Sequence, residues 1–334
     1  LSFKNLLFNK EGMNMFSREL WSVRYNNVLS GLAAGKAAIG NSADIAFKVT
    51  NGLAGAAVQL PFDKGQALKR VFYLHHGILE TSQRALRDGI KRARQVNADP
   101  DAFMEAIRKD YRVATENQKW EILEGMEEAG ELDFGRQVEL NLTRGHHNMS
   151  RNAYMRWGVT GMSGIDASTD TFMGTLYSRI YAYHDVMERA GDISNKADMK
   201  KVLEASEKLH YSKMFDKSGL LTDEAAKFAS QEIALNLDSK TASWINSGIE
   251  RMPTLKSMFM FSRTSINWIK KGFSYTPIGL IPGMNKYGTT IWATEGNPES
   301  IAKALAAHGI EYDNNPYAIP IFRQLKNEYI GRVT

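Results

Sequence analysis

The chain has 334 residues, 43% hydrophobic and 24% charged, with a net charge of +5 and no cysteine. This is a globular composition with room for a buried core. It excludes disulfides, thiolate metal sites and cysteine nucleophiles, and its mild basic excess suits phosphate-bearing partners. The chain starts at Leu1 rather than a methionine and shows no secretory signal pattern, so it reads as a piece or a processed product. No run of ~18 uninterrupted apolar residues predicts a conventional transmembrane helix.

The first region, 1–62, is rich in small residues and low in charge. Its stretch YNNVLSGLAAGKAAIGN, 25–41, carries the small-xxx-small step Gly31/Gly35, extended by Gly40, Gly52 and Gly55. Such surfaces let helices approach closely, in membranes or in tight soluble bundles. Lys36, Asp44 and Lys48 would be costly at a bilayer centre, so segment 28–62 is expected to meet lipid only after assembly.

The second region, 63–250, reads as charged amphipathic helices over about 64–96, 117–130, 196–213 and 222–237. Asp99-Pro100 opens a further helix, and Leu176, Ile180, Tyr183 and Met187 recur at helical spacing in another that Gly191 closes. Arg84, Arg87, Lys91 and Arg94 share one helix face, the stripe that contact with DNA or lipid phosphates requires. Leu79, Leu86, Ile90 and Ala93 on another face are expected to pack inward. The pairs His75-His76 and His146-His147 lack the i, i+4 spacing of a metal-binding helix. No spacing selects Asp166, Asp170 or Asp185 as partners of His184 either. Gly158, Gly161 and Gly164 in WGVTGMSGIDAS lack the preceding strand and the Gly-Lys-Ser/Thr ending of a phosphate loop, and read as a loop between helices. No metal, cofactor or catalytic residue is expected.

The third region, 251–334, is aromatic and interrupted by prolines. A helix over about 253–273 sits within LKSMFMFSRTSINWIKKGFSYTPIG, where Phe259, Phe261 and Trp268 accompany Arg263, Lys270 and Lys271. Aromatic area rimmed by cations is the make-up of a docking helix. Asn297-Pro298 opens another helix that Gly309 stops, before the irregular tail YDNNPYAIPIF. Hairpin signals are scarce, so the fold class expected is all-α.

Two of these stretches resemble known proteins. YNNVLSGLAAGKAAIGN is similar to a segment of large phage polyvalent proteins and internal virion proteins. FMFSRTSINWIKKGFSYTPIG resembles their Phe-x-Arg-Thr-Pro … Thr-Pro element, with Ser265 in place of the usual proline and Thr276-Pro277 retained. The resemblance spans the first ~60 residues and the C-terminal third. It implies a non-enzymatic ejection protein stored in the capsid near the portal and delivered to help build a conduit across the host envelope. The implied partners are further copies of itself in a ring or tube, other internal virion or portal proteins, genomic DNA, and the host inner membrane. The alternative it leaves open is a helical domain of a giant virion-packaged enzyme, such as an RNA polymerase, whose catalytic domain lies outside these residues.

Overall fold

The computed structural model describes residues 32–99, 125–131, 140, 153–189, 196–216, 219–234, 262–282 and 285–334. Among them the protein is all-α, with no strand. In chain order the helices are α1 (Leu32–Asp63), α2 (Gln66–His75), α3 (Ile78–Ala98) and α4 (Ala153–Tyr183), which a π-helical turn (His184–Arg189) continues. They are followed by α5 (Lys196–Lys213), α6 (Glu224–Ile233), α7 (Ser262–Ser274), a 3-10 turn (Pro277–Leu280), α8 (Lys286–Trp292), α9 (Pro298–Ala306) and α10 (Ala318–Val333).

Side-chain caps set several of these starts. Asp223 accepts from the Ala226 N–H at 2.9 Å to open α6, Asn285 from Gly288 at 2.7 Å to open α8, and Asn297 from Ser300 at 3.2 Å to open α9. Gly309, at φ +73°, provides the left-handed stop after α9. The helix expected over 64–96 is two helices instead. His76 turns to ψ 130° and Gly77 to φ +68°, a break that an uninterrupted amphipathic pattern does not announce. The helix that Asp99-Pro100 opens, and most of the one over 117–130, lie outside the described residues.

Contacts group the chain into two units, each drawn from three stretches, a division that follows different lines from the composition shifts near 62 and 250. One comprises 1–39, 88–167 and 238–263; the other comprises 40–87, 168–237 and 264–334.

In the first unit the glycines expected to form a loop stand inside α4, and this corrects the sequence reading. A Cβ on Gly164 would come within 2.9 Å of the Gly89 carbonyl, and one on Gly161 within 3.1 Å of the Ala34 Cβ. Each helical glycine costs about 1 kcal/mol of propensity, and here close approach to α3 and α1 offsets it.

In the second unit the later part of α4 is the central helix, with Thr171 to Arg179 all buried. Its Phe172, Met173, Leu176 and Tyr177 join Phe228 and Ile233 of α6, Ile301 and Leu305 of α9, and Ile321, Phe322, Leu325 and Tyr329 of α10 in one apolar core. The polar residues on this buried helix are satisfied locally. Thr175 and Ser178 donate to the Thr171 and Gly174 carbonyls, at 2.8 and 2.6 Å.

Candidate functional site

Three helices turn large apolar side chains outward, and two of them, α1 and α7, turn polar ones inward. On α7 the inward residues are Asn267, Lys271 and Ser274, while Ile269 and Phe273 face outward, each about half exposed. On α1, Asn41, Lys48 and Asn51 are buried, and Ile39, Phe47, Val58, Leu60 and Phe62 stand exposed, Phe62 at 86%. On α3 the buried positions are Thr81, Ala85, Gly89 and Val96, and the leucines expected to pack inward do the opposite: Leu79 is 77% exposed and Leu86 62%. The reason is steric, since Gly89 and Ala93 are the positions that admit α4 closely.

The buried polar side of α1 and α7 closes on a charge cluster. Lys48 Nζ lies 2.8 Å from Glu328 and 3.2 Å from Glu232, and Arg332 pairs with both carboxylates, at 3.0 Å to Glu232. Ser274 accepts from Arg332 at 3.3 Å, and the Arg332 guanidinium lies over the Tyr329 ring at 4.7 Å. Burial works to raise the Glu232 carboxyl, but Arg332 and Lys48 outweigh it and hold the group well below the usual carboxylate range. Burial likewise opposes the Lys48 charge, and Glu328 and Glu232 overcome it, so its ammonium is held above the ordinary value. Two cations thus meet two carboxylates among α1, α6 and α10. Around them, Lys271 reaches Asp44 at 2.7 Å, and Asn51 donates to Tyr275 at 3.1 Å.

Of the charges that make α1 a poor membrane span, Asp44 and Lys48 are therefore paired inside the bundle, while Lys36 is exposed. No helix among the described residues is long and apolar enough to cross a membrane.

The candidate residues fall as follows. Gly55 is a close-packing glycine: a Cβ there would lie 1.8 Å from the Asn327 carbonyl of α10, and one on Gly331 would lie 1.9 Å from the Asn51 carbonyl. Gly52 makes ordinary contacts with Val71 and His75, while Gly35 and Gly40 have nothing within 4 Å; Gly31 lies outside the described residues. Arg84 packs over the Tyr211 ring at 5.1 Å, and Arg87, Lys91 and Arg94 are exposed. Lys270 is half-buried, and Lys271 is an inward ion-pair partner rather than the rim cation expected of it. Phe259 and Phe261 lie outside the described residues, as do the side chains of Arg263 and Trp268.

Sequence reasoning missed the Glu232, Glu328 and Arg332 cluster altogether. Its one local signal is the i, i+4 spacing of Glu328 and Arg332, which any surface helix shares. It also left His184 and Asp185 without partners. They stand on the π-helical turn, where Asp185 accepts from Tyr317 at 3.0 Å and lies 2.9 Å from His210 Nε2. Tyr317 stacks on Tyr181 at 4.2 Å, and Tyr181 donates to Asp223 at 2.9 Å. His184 lines a cleft of about 30 Å³ together with Arg70, Arg179, Arg323, Tyr73 and Tyr183. That is room for two or so water molecules, at about 10–15 Å³ each. No group of three or more His, Asp or Glu able to hold a metal ion occurs among the described residues.

No protein-family model matches the chain, and no curated protein or solved structure does either.

Proposed function

We propose that this chain is a non-enzymatic structural protein of a bacteriophage virion, held in the capsid near the portal and ejected to help form a conduit for the genome across the host envelope. It acts by assembly, as a ring or tube of copies that meets portal or other internal proteins, genomic DNA, and finally the host membrane.

The observation that carries this reading is the outward apolar surface of α1, α3 and α7. On α1 and α7 polar side chains are spent on the buried interior while aliphatic and aromatic ones face outward, and on α3 Leu79, Leu86 and Ile90 stand exposed beside its cations. Exposed apolar faces of this kind mark surfaces that a partner or a lipid covers. Two of the three helices are those into which the phage-like sequence stretches run, and Lys271–Asp44 and Tyr275–Asn51 join them. On α3 itself Arg87, Lys91 and Arg94 are exposed, cations suited to phosphates.

The test is a sedimentation and vesicle-flotation comparison of the natural chain with Phe47→Ser/Phe273→Ser. Both residues are about half exposed, so the change in folding stability should be small, within about 1 kcal/mol. Self-association and flotation with anionic vesicles should both weaken. A variant that associates and floats as the natural chain does removes these faces from the account.

A further inference from the structure

The cleft in the second unit is lined by hydrogen-bond donors from three helices. Arg70 and Tyr73 come from α2, Arg179 and Tyr183 from α4, and Arg323 and Gln324 from α10, with His184 beside them. Among the described residues no Asp or Glu lines it. Arg179 is only 8% exposed, yet part of its guanidinium is unused. Its Nε meets Glu207 at 3.2 Å, and its Nη1 donates to the Leu74 and His76 carbonyls at 3.3 and 2.5 Å. Its Nη2 makes no hydrogen bond among the described residues. Arg323 pairs with Glu295 at 3.0 Å, and that carboxylate, like Glu207, stands outside the lining. The Tyr73 ring packs against Tyr183 at 5.2 Å, and neither its hydroxyl nor the Gln324 amide has a hydrogen-bond partner among the described residues. Burial, with Glu207 adding to it, pushes the Tyr73 phenol up to about 12, so it stays a neutral donor.

A concave site built of guanidiniums, a phenol and an amide, with no carboxylate in its wall, asks for an acceptor-only ligand. Guanidinium forks match the oxygens of phosphate in geometry as well as charge. We propose that this cleft binds a terminal phosphate group, that of inorganic phosphate or of a small phosphomonoester. Arg179 is its anchor, because Glu207 and two carbonyls hold the guanidinium in place and leave Nη2 over. Arg70 and Arg323 close on the group from α2 and α10. The space that takes two or so waters takes two phosphate oxygens. The other oxygens, or the ester, lie at the mouth, where Arg70, Tyr183, His184 and Arg323 are half-buried. A sugar or a base finds no room inside. Three guanidiniums around one group gain more from a dianion than from the single charge of a diester. None of the α3 cations lines this cleft.

The experiment is titration calorimetry of the full chain with inorganic phosphate, methyl phosphate and dimethyl phosphate, each against chloride at matched ionic strength. Inorganic and methyl phosphate should bind saturably, at least about tenfold tighter than the diester. Arg70→Gln removes one charged donor and should weaken phosphate binding by about tenfold. Gln324→Glu sets a carboxylate in the lining and should abolish it. Arg87→Gln, on α3 and outside the cleft, should bind phosphate as the natural chain does. Circular dichroism shows whether each variant is folded, and the comparison of the three ligands on the natural chain stands without them. Phosphate binding no stronger than that of chloride, or equal affinity for the diester, overturns the proposal. So does full affinity in folded Arg70→Gln and Gln324→Glu, or a loss in Arg87→Gln as large as theirs.

Discussion

At Gly55 and Gly331 a missing Cβ is what lets α1 and α10 cross, because a methyl on either would intrude on a backbone carbonyl that cannot move alone. Gly55→Ala should therefore destabilise the chain by about 2–4 kcal/mol in denaturant unfolding, at or above the upper end of overpacking costs. Gly35→Ala, with open space around it, should stabilise by up to about 1 kcal/mol through helix propensity. Identical effects at the two positions would mean that the crossing is not close. Glu232 is the second residue on which the interior turns. Its folded carboxyl lies well below the usual value, so its contribution is complete above pH ~4.5 and is lost as pH falls through the folded value. Glu232→Gln leaves Lys48 and Arg332 short of one carboxylate and should cost about 3–5 kcal/mol near neutrality. It should also flatten the fall of stability below pH ~4.5. An acid limb as steep as that of the natural chain would move the titrating group elsewhere.

At the scale of elements, most helices were legible from their ends and periods. The tail read as irregular, YDNNPYAIPIF, is different: it runs into the buried helix α10 from Ala318, whose Pro320 stands in its first turn, where a proline is tolerated. Lys196–Lys213 and the capped start at Asn297 follow directly from sequence, and the run expected over about 222–237 holds α6, whose cap at Asp223 the periodicity does not single out. What could not be read is which face turns inward. Periodicity sorts residues into faces, and assigning the apolar face to the interior is the default that α1, α3 and α7 break. The partners that reverse them lie far off in sequence: Asp44 is paired with Lys271, and Lys48 with Glu232 and Glu328. The glycines of α4 were misread for the same reason, since the helix contacts that make them useful come from Ala34, Gly89 and Ala93. The basic residues of α3 give a further expectation. Arg87→Glu/Lys91→Glu should weaken binding to duplex DNA or anionic vesicles and make the salt dependence shallower, because two of the cations that release counterions are gone. Folding stability should stay within about 0.5 kcal/mol, as both side chains are exposed. Binding with an unchanged salt slope would reduce the stripe to a solvated face.

For the whole molecule, the reversed helices and the ordinary core divide the work. The core around α4 folds by conventional apolar burial, while α1 and α7 hold Lys48 and Lys271 inside and leave apolar surface outward. This arrangement suits a chain that is folded before its final surroundings are in place, and it is the physical basis for reading the protein as an assembling component of a virion. The direct measurement is quantitative mass spectrometry of purified phage particles that encode this chain, before and after triggered DNA release. The account predicts several copies in each intact particle, protected from external protease, and their loss from emptied heads. Absence of the chain from intact particles, or its full retention in heads that have released their DNA, would contradict it.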